Sequence, residues 1–187
     1  MTHDTQKSNN AFQILGIEPS FSISADQVQR AYLAMLSGSH PDLVSSGTDL
    51  SEPLDPATLN TARDTLLNDE ARANLMLELN QGPPPSDTTL PDGFLMEMMQ
   101  LRTQIEDDLE TEGDSARSRW QSWANARRAE TINHIGTLFE QLDTASSDES
   151  RSSGIKQNIR TQLNAWRYTE RLIEQLDPTY DPNVSDF

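Results

Sequence analysis

The histidines and the acidic residues of this 187-residue sequence are the side chains whose types suit acid–base or metal chemistry. His3, His40 and His134 are far apart in the sequence and show no metal-ligand spacing. Asp107 and Asp108 are adjacent, so on a helix their carboxylates diverge and cannot act on one substrate. The sequence contains no cysteine, which removes disulfides, thiol nucleophiles and thiolate metal ligands. We therefore expect a protein that is not an enzyme and that uses no metal or cofactor.

The charge balance narrows the classes of partner. Acidic residues outnumber Lys and Arg by 30 to 14, which gives a formal net charge of −16. Nucleic-acid binding requires cationic surface to neutralise phosphates, so a DNA or RNA role is excluded. The lysines are Lys7 and Lys156, and no basic run exists that would lie on an anionic membrane. No apolar run approaches the roughly 20 residues of a membrane span, so we expect a soluble, cytoplasmic protein.

The elements that must position any site are helices. Apolar residues recur at steps of three and four, which predicts an all-α fold. Glycines, prolines and capping residues set the predicted helix ends. The expected helices span 11–16, 25–38, a third from 56 onward with a break near Asn68 that the sequence leaves open, 93–110, 116–143 and 154–176. The expected domains are a helical hairpin with short flanking helices over 1–80, a Pro-rich linker over 81–91, a three-helix bundle over 92–176, and an irregular tail over 177–187.

The helix that begins near Gly93 has two apolar faces. At 100° per residue, one narrow arc supplies the expected core contacts: Phe94, Met98, Leu101, Ile105 and Leu109. Leu95, Met96 and Met99 point 80° to 180° away, on a side that a three-helix bundle leaves in water. Methionine at helical spacing is more often plain core, but here the core arc is already filled. The pattern favours a partner-binding surface on that outer side.

The loop after the second predicted helix contains His40-Pro41-Asp42, with another helix following about 14 residues later. This arrangement resembles a J domain. Residues 12–21 read FQILGIEPSF and residues 90–99 read LPDGFLMEMM, and both resemble the J-protein co-chaperones of iron–sulfur cluster assembly of the HscB type. Residues 59–66, LNTARDTL, look like the third helix of that family. The resemblance covers most of the chain in order and weakens after Leu109.

The resemblance implies a J domain over 1–80 that docks on a DnaK/HscA-type ATPase chaperone and stimulates its ATP hydrolysis. It further implies a C-terminal domain that binds the IscU-type scaffold protein on which the cluster is built, with a weak homodimer left open. The implied chaperone-binding residues are His40, Pro41, Asp42 and Arg30. The implied scaffold-binding residues are Leu95, Met96, Met99, Gln100, Thr103, Asp107 and Tyr168.

The sequence also departs from the family pattern. The helix before His40 retains only Arg30 where several basic residues are usual, and residues 1–80 hold 11 acidic and 4 basic side chains. Docking on an acidic chaperone surface would meet repulsion. An alternative is therefore a degenerate J-like adaptor that binds a partner without stimulating an ATPase. Gln100 and Thr103 stand where the family usually has glutamates; Glu106 and Glu110 would either restore that charge or form an ordinary solvated face.

Overall fold

The structure, a computed structural model, describes residues 9–38, 55–145 and 148–174, and the chain divides into two compact units, Met1–Asn80 and Gln81–Phe187. The described residues form seven helices and contain no strand. The predicted all-α fold is confirmed. None of the described helices is long and apolar enough to span a membrane.

The N-terminal unit contains α1 (Ala11–Leu15), α2 (Ala25–Gly38), α3 (Pro56–Leu67) and α4 (Asp69–Leu79). A reciprocal pair of hydrogen bonds between Asn10 and Gln13 caps α1, and Gly16 ends it at φ 63°. The side chain of Ser24 accepts a hydrogen bond from the first turn of α2, as its N-cap position predicts. Asn68 is extended and its side chain accepts the amide of Ala71, so the chain breaks there into two helices.

The core of the N-terminal unit forms where α1 and α2 pack on α3. Its most buried side chains are Phe12, Leu15, Val28, Leu59, Leu66 and Leu77. Arg72 of α4 is also buried, and its guanidinium donates to the carbonyls of Phe21 and Leu66 and to the carboxylate of Asp69. The same guanidinium lies 5.0 Å from the centroid of the Phe21 ring, so a buried cation joins α4 to the segment before α2.

The C-terminal unit contains α5 (Phe94–Glu112), α6 (Asp114–Thr144) and α7 (Glu149–Glu174), and each helix packs against the other two. Two predicted boundaries need correction. Helix α6 begins at Asp114, so a single residue, Gly113 at φ 58°, connects it to α5. Helix α7 begins at Glu149 and passes through Gly154, because Asp148 caps it by accepting the amide of Arg151.

The core of the bundle lies along α6 and α7. The predicted apolar faces of these two helices supply it, although Trp123, Ile132 and Ile155 are only partly buried. The buried members of those faces are Trp120, Ile135, Leu138, Phe139, Leu142, Ile159, Leu163, Trp166 and Ile173.

The Pro-rich segment after residue 81 lies against α7. Arg160, which is 1% exposed, donates to the carbonyl of Pro83 at 3.1 Å. The amide of Asn164 donates to the carbonyls of Asp87 and Thr89 at 2.8 and 3.0 Å. Hydrogen bonds from the side chains of Thr89 and Gln157 and from the backbone of Thr89 lower the pKa of Asp87 to about 2. Side chains of α7 therefore hold residues 83–89 in place.

Candidate partner-binding surface

The two faces of α5 have the burial that its sequence predicts. Phe94 and Ile105 are buried at 6% and 4% exposure. The remaining residues of the inner arc, Met98, Leu101 and Leu109, are partly buried against a cluster formed by Ile105, Ala116, Trp120 and Leu172. On the opposite face Leu95, Met96 and Met99 are exposed at 52%, 68% and 72%. Exposed apolar side chains of this size next to one another indicate a binding surface.

An open groove of about 330 Å³ runs between α5 and α7 beside these side chains. Apolar side chains from both helices line it, and an arginine from each helix completes the wall. The lining residues are Leu95, Met98, Met99 and Arg102 of α5 and Tyr168, Arg171 and Leu172 of α7. We call this feature the α5/α7 groove.

Tyr168 reaches the groove because α5 and α7 pack together at this end. Its ring meets the buried ring of Phe94 edge to face, with centroids 6.2 Å apart, and it remains 45% exposed. The start of α5 is set by a turn in which the amide of Phe94 donates to the carbonyl of Pro91, with Gly93 at φ 76°. The sequence around residues 90–94 thus fixes where the groove begins.

An ion pair joins α7 to α6 in the turn of α7 that carries Tyr168 and Arg171. The guanidinium of Arg128 on α6 donates to both carboxylate oxygens of Glu170 at 2.6 to 2.8 Å. Burial alone would raise the pKa of Glu170, but hydrogen bonds from Arg128 and Trp166 outweigh it and the pKa is lowered. This contact fixes the turn of α7 that carries Tyr168 and Arg171.

The structure gathers only part of the predicted scaffold-binding set around the groove. Leu95, Met99 and Tyr168 line it, whereas Met96 is exposed on the same helix outside it. The predicted polar members Gln100, Thr103 and Asp107 are exposed on α5 and do not line the groove. The hydroxyl of Thr103 donates to the carbonyl of Met99 within the helix, at 3.2 Å.

Sequence reasoning missed four lining residues: Met98, Arg102, Arg171 and Leu172. The spacing of three and four residues from Tyr168 was a signal for Arg171 and Leu172, since such residues share a helix face. Among the residues that the structure describes, none that lines the groove is acidic, although the chain carries a net charge of −16. Arg102 pairs with Glu106 at 2.9 Å. Arg171 is exposed and makes no ion pair with any residue that the structure describes.

The structure describes only one of the predicted chaperone-binding residues. His40, Pro41 and Asp42 lie outside the described residues. Arg30 is exposed on α2. Within the described ranges, no group of three or more His, Asp or Glu residues has a geometry that would hold a metal ion.

These features define an all-α protein of two helical units whose C-terminal bundle exposes an apolar groove. Residues 90–177 match the family model described as the HSCB C-terminal oligomerisation domain. The crystal structure of human co-chaperone protein HscB is similar at a TM-score of 0.66 and 22% identity, covering 91% of this chain and 81% of that one. Chaperone HscB from Vibrio cholerae is similar at a TM-score of 0.62 and 19% identity, covering 89% and 94%.

The C-terminal unit therefore carries the HscB C-terminal domain, and the chain has the fold of the two HscB structures over the residues that they cover. These matches confirm the resemblance that the sequence shows to the HscB type, and the expected fold class is confirmed as well.

Proposed function

We propose that the protein is a co-chaperone of iron–sulfur cluster assembly that binds the cluster scaffold through its C-terminal unit and presents it to a DnaK/HscA-type ATPase chaperone. The observation that carries this proposal is the exposed apolar surface on a unit that matches the HscB C-terminal domain. In this role the protein is an activator in the cytoplasm and not itself a catalyst.

The scaffold-binding half of the proposal rests on apolar burial. Leu95, Met99 and Tyr168 line the α5/α7 groove, and Met96 extends the apolar surface beside it. Flexible, polarizable methionines suit a surface that must adapt to a partner, and tyrosine is enriched among residues that dominate binding energy. Gln100, Thr103 and Asp107 supply a polar border on the same helix.

The chaperone-binding half rests on the tripeptide at residues 40–42, which lies between α2 and α3 in the sequence. In this proposal His40, Pro41 and Asp42 trigger ATP hydrolysis on the chaperone, and Arg30 contributes charge attraction from the exposed face of α2. The J-domain assignment over 1–80 is part of the same proposal.

A second function, an adaptor that binds a partner without stimulating an ATPase, is favoured by the scarcity of free cations in the N-terminal unit. Of the basic residues described there, Arg72 is buried, and Arg63 pairs with Asp64 at 2.8 Å and lies over the ring of Tyr32. Arg30 is left to attract an acidic surface, so electrostatic steering of docking would be weak.

Single-turnover ATP hydrolysis distinguishes the two functions. Each DnaK-type chaperone of the organism is loaded with ATP and followed with and without this protein, in its wild-type form and as His40→Gln. The co-chaperone proposal predicts stimulation by the wild type that His40→Gln loses at unchanged helical content. Equal stimulation by both proteins would contradict the role of His40. Scaffold binding with no stimulation of any chaperone would establish the adaptor.

A further inference from the structure

Two arginines line the α5/α7 groove of a chain whose net charge is −16. Arg102 and Arg171 both line the groove, and no carboxylate of the described residues does. The guanidinium of Arg102 already forms an exposed ion pair with Glu106. Arg171 makes no ion pair with the described residues, although acidic side chains outnumber basic ones by 30 to 14. A guanidinium that makes no ion pair with the described residues and lies beside an apolar groove can bind a carboxylate of a partner.

We infer that the groove recognises an acidic–apolar segment of the scaffold: an apolar side chain enters between Leu95, Met99 and Tyr168, and a neighbouring carboxylate pairs with Arg171. This inference rests on the proposed function and specifies the chemistry of the partner at the same surface. It differs from a purely apolar contact and from a contact in which this chain supplies the negative charge.

Charge complementarity supports this occupant over a basic one. A lysine or arginine placed at the groove would approach Arg102 and Arg171 and would be repelled. A carboxylate accepts two parallel hydrogen bonds from a guanidinium, which fixes its position as well as its charge. The apolar wall excludes water around such a pair and strengthens it relative to a pair on open surface.

The test is a calorimetric titration of the full chain with the apo scaffold protein encoded in the same genome. The variants are Arg171→Glu, Arg171→Lys, Met99→Asp and a matched control, Arg151→Glu. Arg151 is exposed on the same helix and is 20 residues away, or about 30 Å along the axis at 1.5 Å per residue. Arg171→Glu and Arg151→Glu change the net charge equally, so a difference between their affinities for the scaffold reflects the position of the charge. Far-UV circular dichroism checks that each variant retains its helices.

We expect Arg171→Glu to weaken scaffold binding about tenfold or more, because it removes an attraction and adds a repulsion within the interface. Arg171→Lys keeps the charge but loses the planar fork, so it should weaken binding by less than Arg171→Glu does. Arg151→Glu should leave the affinity unchanged.

Two results would overturn the inference while leaving the proposed function intact. In one, Met99→Asp weakens scaffold binding, but the affinity of Arg171→Glu equals or exceeds that of Arg151→Glu. The scaffold then places no carboxylate at Arg171. In the other, sedimentation without scaffold shows a dimer that Arg171→Glu dissociates, so a second copy of this chain occupies the groove. If neither Met99→Asp nor Arg171→Glu changes the affinity, the groove is not the scaffold site and both proposals for it fail.

Discussion

Replacing Met99 tests whether the α5/α7 groove binds the scaffold. Met99 is 72% exposed, so its loss leaves no cavity in the free protein, and the free energy of unfolding should change by no more than about 0.5 kcal/mol. Any effect on binding then reflects the complex itself. Complete burial of a methionine side chain contributes about 1.5 to 3 kcal/mol.

The exposed fraction sets the magnitude. Covering the 72% of Met99 that faces water recovers about 1 to 2 kcal/mol, so Met99→Ala should weaken binding by roughly 5- to 30-fold. In Met99→Asp a carboxylate loses its hydration against apolar surface as well, and the total rises to about 2 to 3 kcal/mol. This corresponds to a loss of roughly 30- to 150-fold in affinity.

The assay is calorimetric titration with the apo scaffold, and Gln104→Asp is the matched control. Gln104 is exposed on the same helix, five residues from Met99 and thus about 140° around the axis, and both substitutions add one negative charge. The control should bind like the wild type. An unchanged dissociation constant for Met99→Asp, with helical content intact, would refute the assignment of the groove.

Three further predictions concern the fold. Asn164→Ala leaves two carbonyls of the Pro-rich segment without their donor and should lower the free energy of unfolding of the C-terminal unit by about 1 to 3 kcal/mol. Urea denaturation followed by tryptophan fluorescence measures this change, because all three tryptophans lie in the C-terminal unit. In the folded protein the pKa of Asp87, about 2, lies below its ordinary value of 3.8, so the stabilisation by Asp87 is fully present above about pH 4 and is lost as the pH falls through 2. The difference in urea midpoint between the wild type and Asp87→Asn should therefore disappear near pH 2, and a difference that stays constant with pH would contradict this prediction. Gly16→Ala forces a side chain into φ 63° and should destabilise the N-terminal unit by about 1 to 2 kcal/mol in a thermal melt followed by circular dichroism.

The helices and the two faces of α5 were predictable because their signals are local. A period near 3.6 separates Ile105 from Met99 without knowledge of the partner helices. Caps such as Asn10 and Ser24 act within one turn of their own helix. Residue types within a short stretch of chain therefore fix these features.

The groove itself was less predictable because it depends on which turn of α7 faces which turn of α5. Tyr168 was expected there from the family resemblance, and helical spacing places Arg171 and Leu172 on the same face of α7. Which residues of α5 they meet depends on how the two helices pack. The start of α7 was missed for a related reason. Gly154 costs a helix about 1 kcal/mol relative to alanine, and the Asp148 cap and tertiary packing outweigh that cost.

The Pro-rich segment shows the same limit for polar side chains. Its composition predicts a stiff connection, and the structure ties residues 83–89 to α7 through Arg160 and Asn164. Both side chains are buried on a helix whose other buried positions are mainly apolar. Buried polar groups require partners, but the sequence does not identify carbonyls more than 70 residues away as those partners.

The proposed co-chaperone function requires one chain to carry both binding activities. Single-turnover ATP hydrolysis by the chaperone is followed at limiting scaffold with wild type, His40→Gln, Met99→Asp, and an equal mixture of the two variants. We predict full stimulation by the wild type, none by His40→Gln, and only the scaffold-independent part by Met99→Asp. The mixture should do no better than Met99→Asp alone, because presentation of the scaffold needs both units in one molecule. Full stimulation by the mixture, or none by the wild type with any chaperone, would contradict the proposed co-chaperone function.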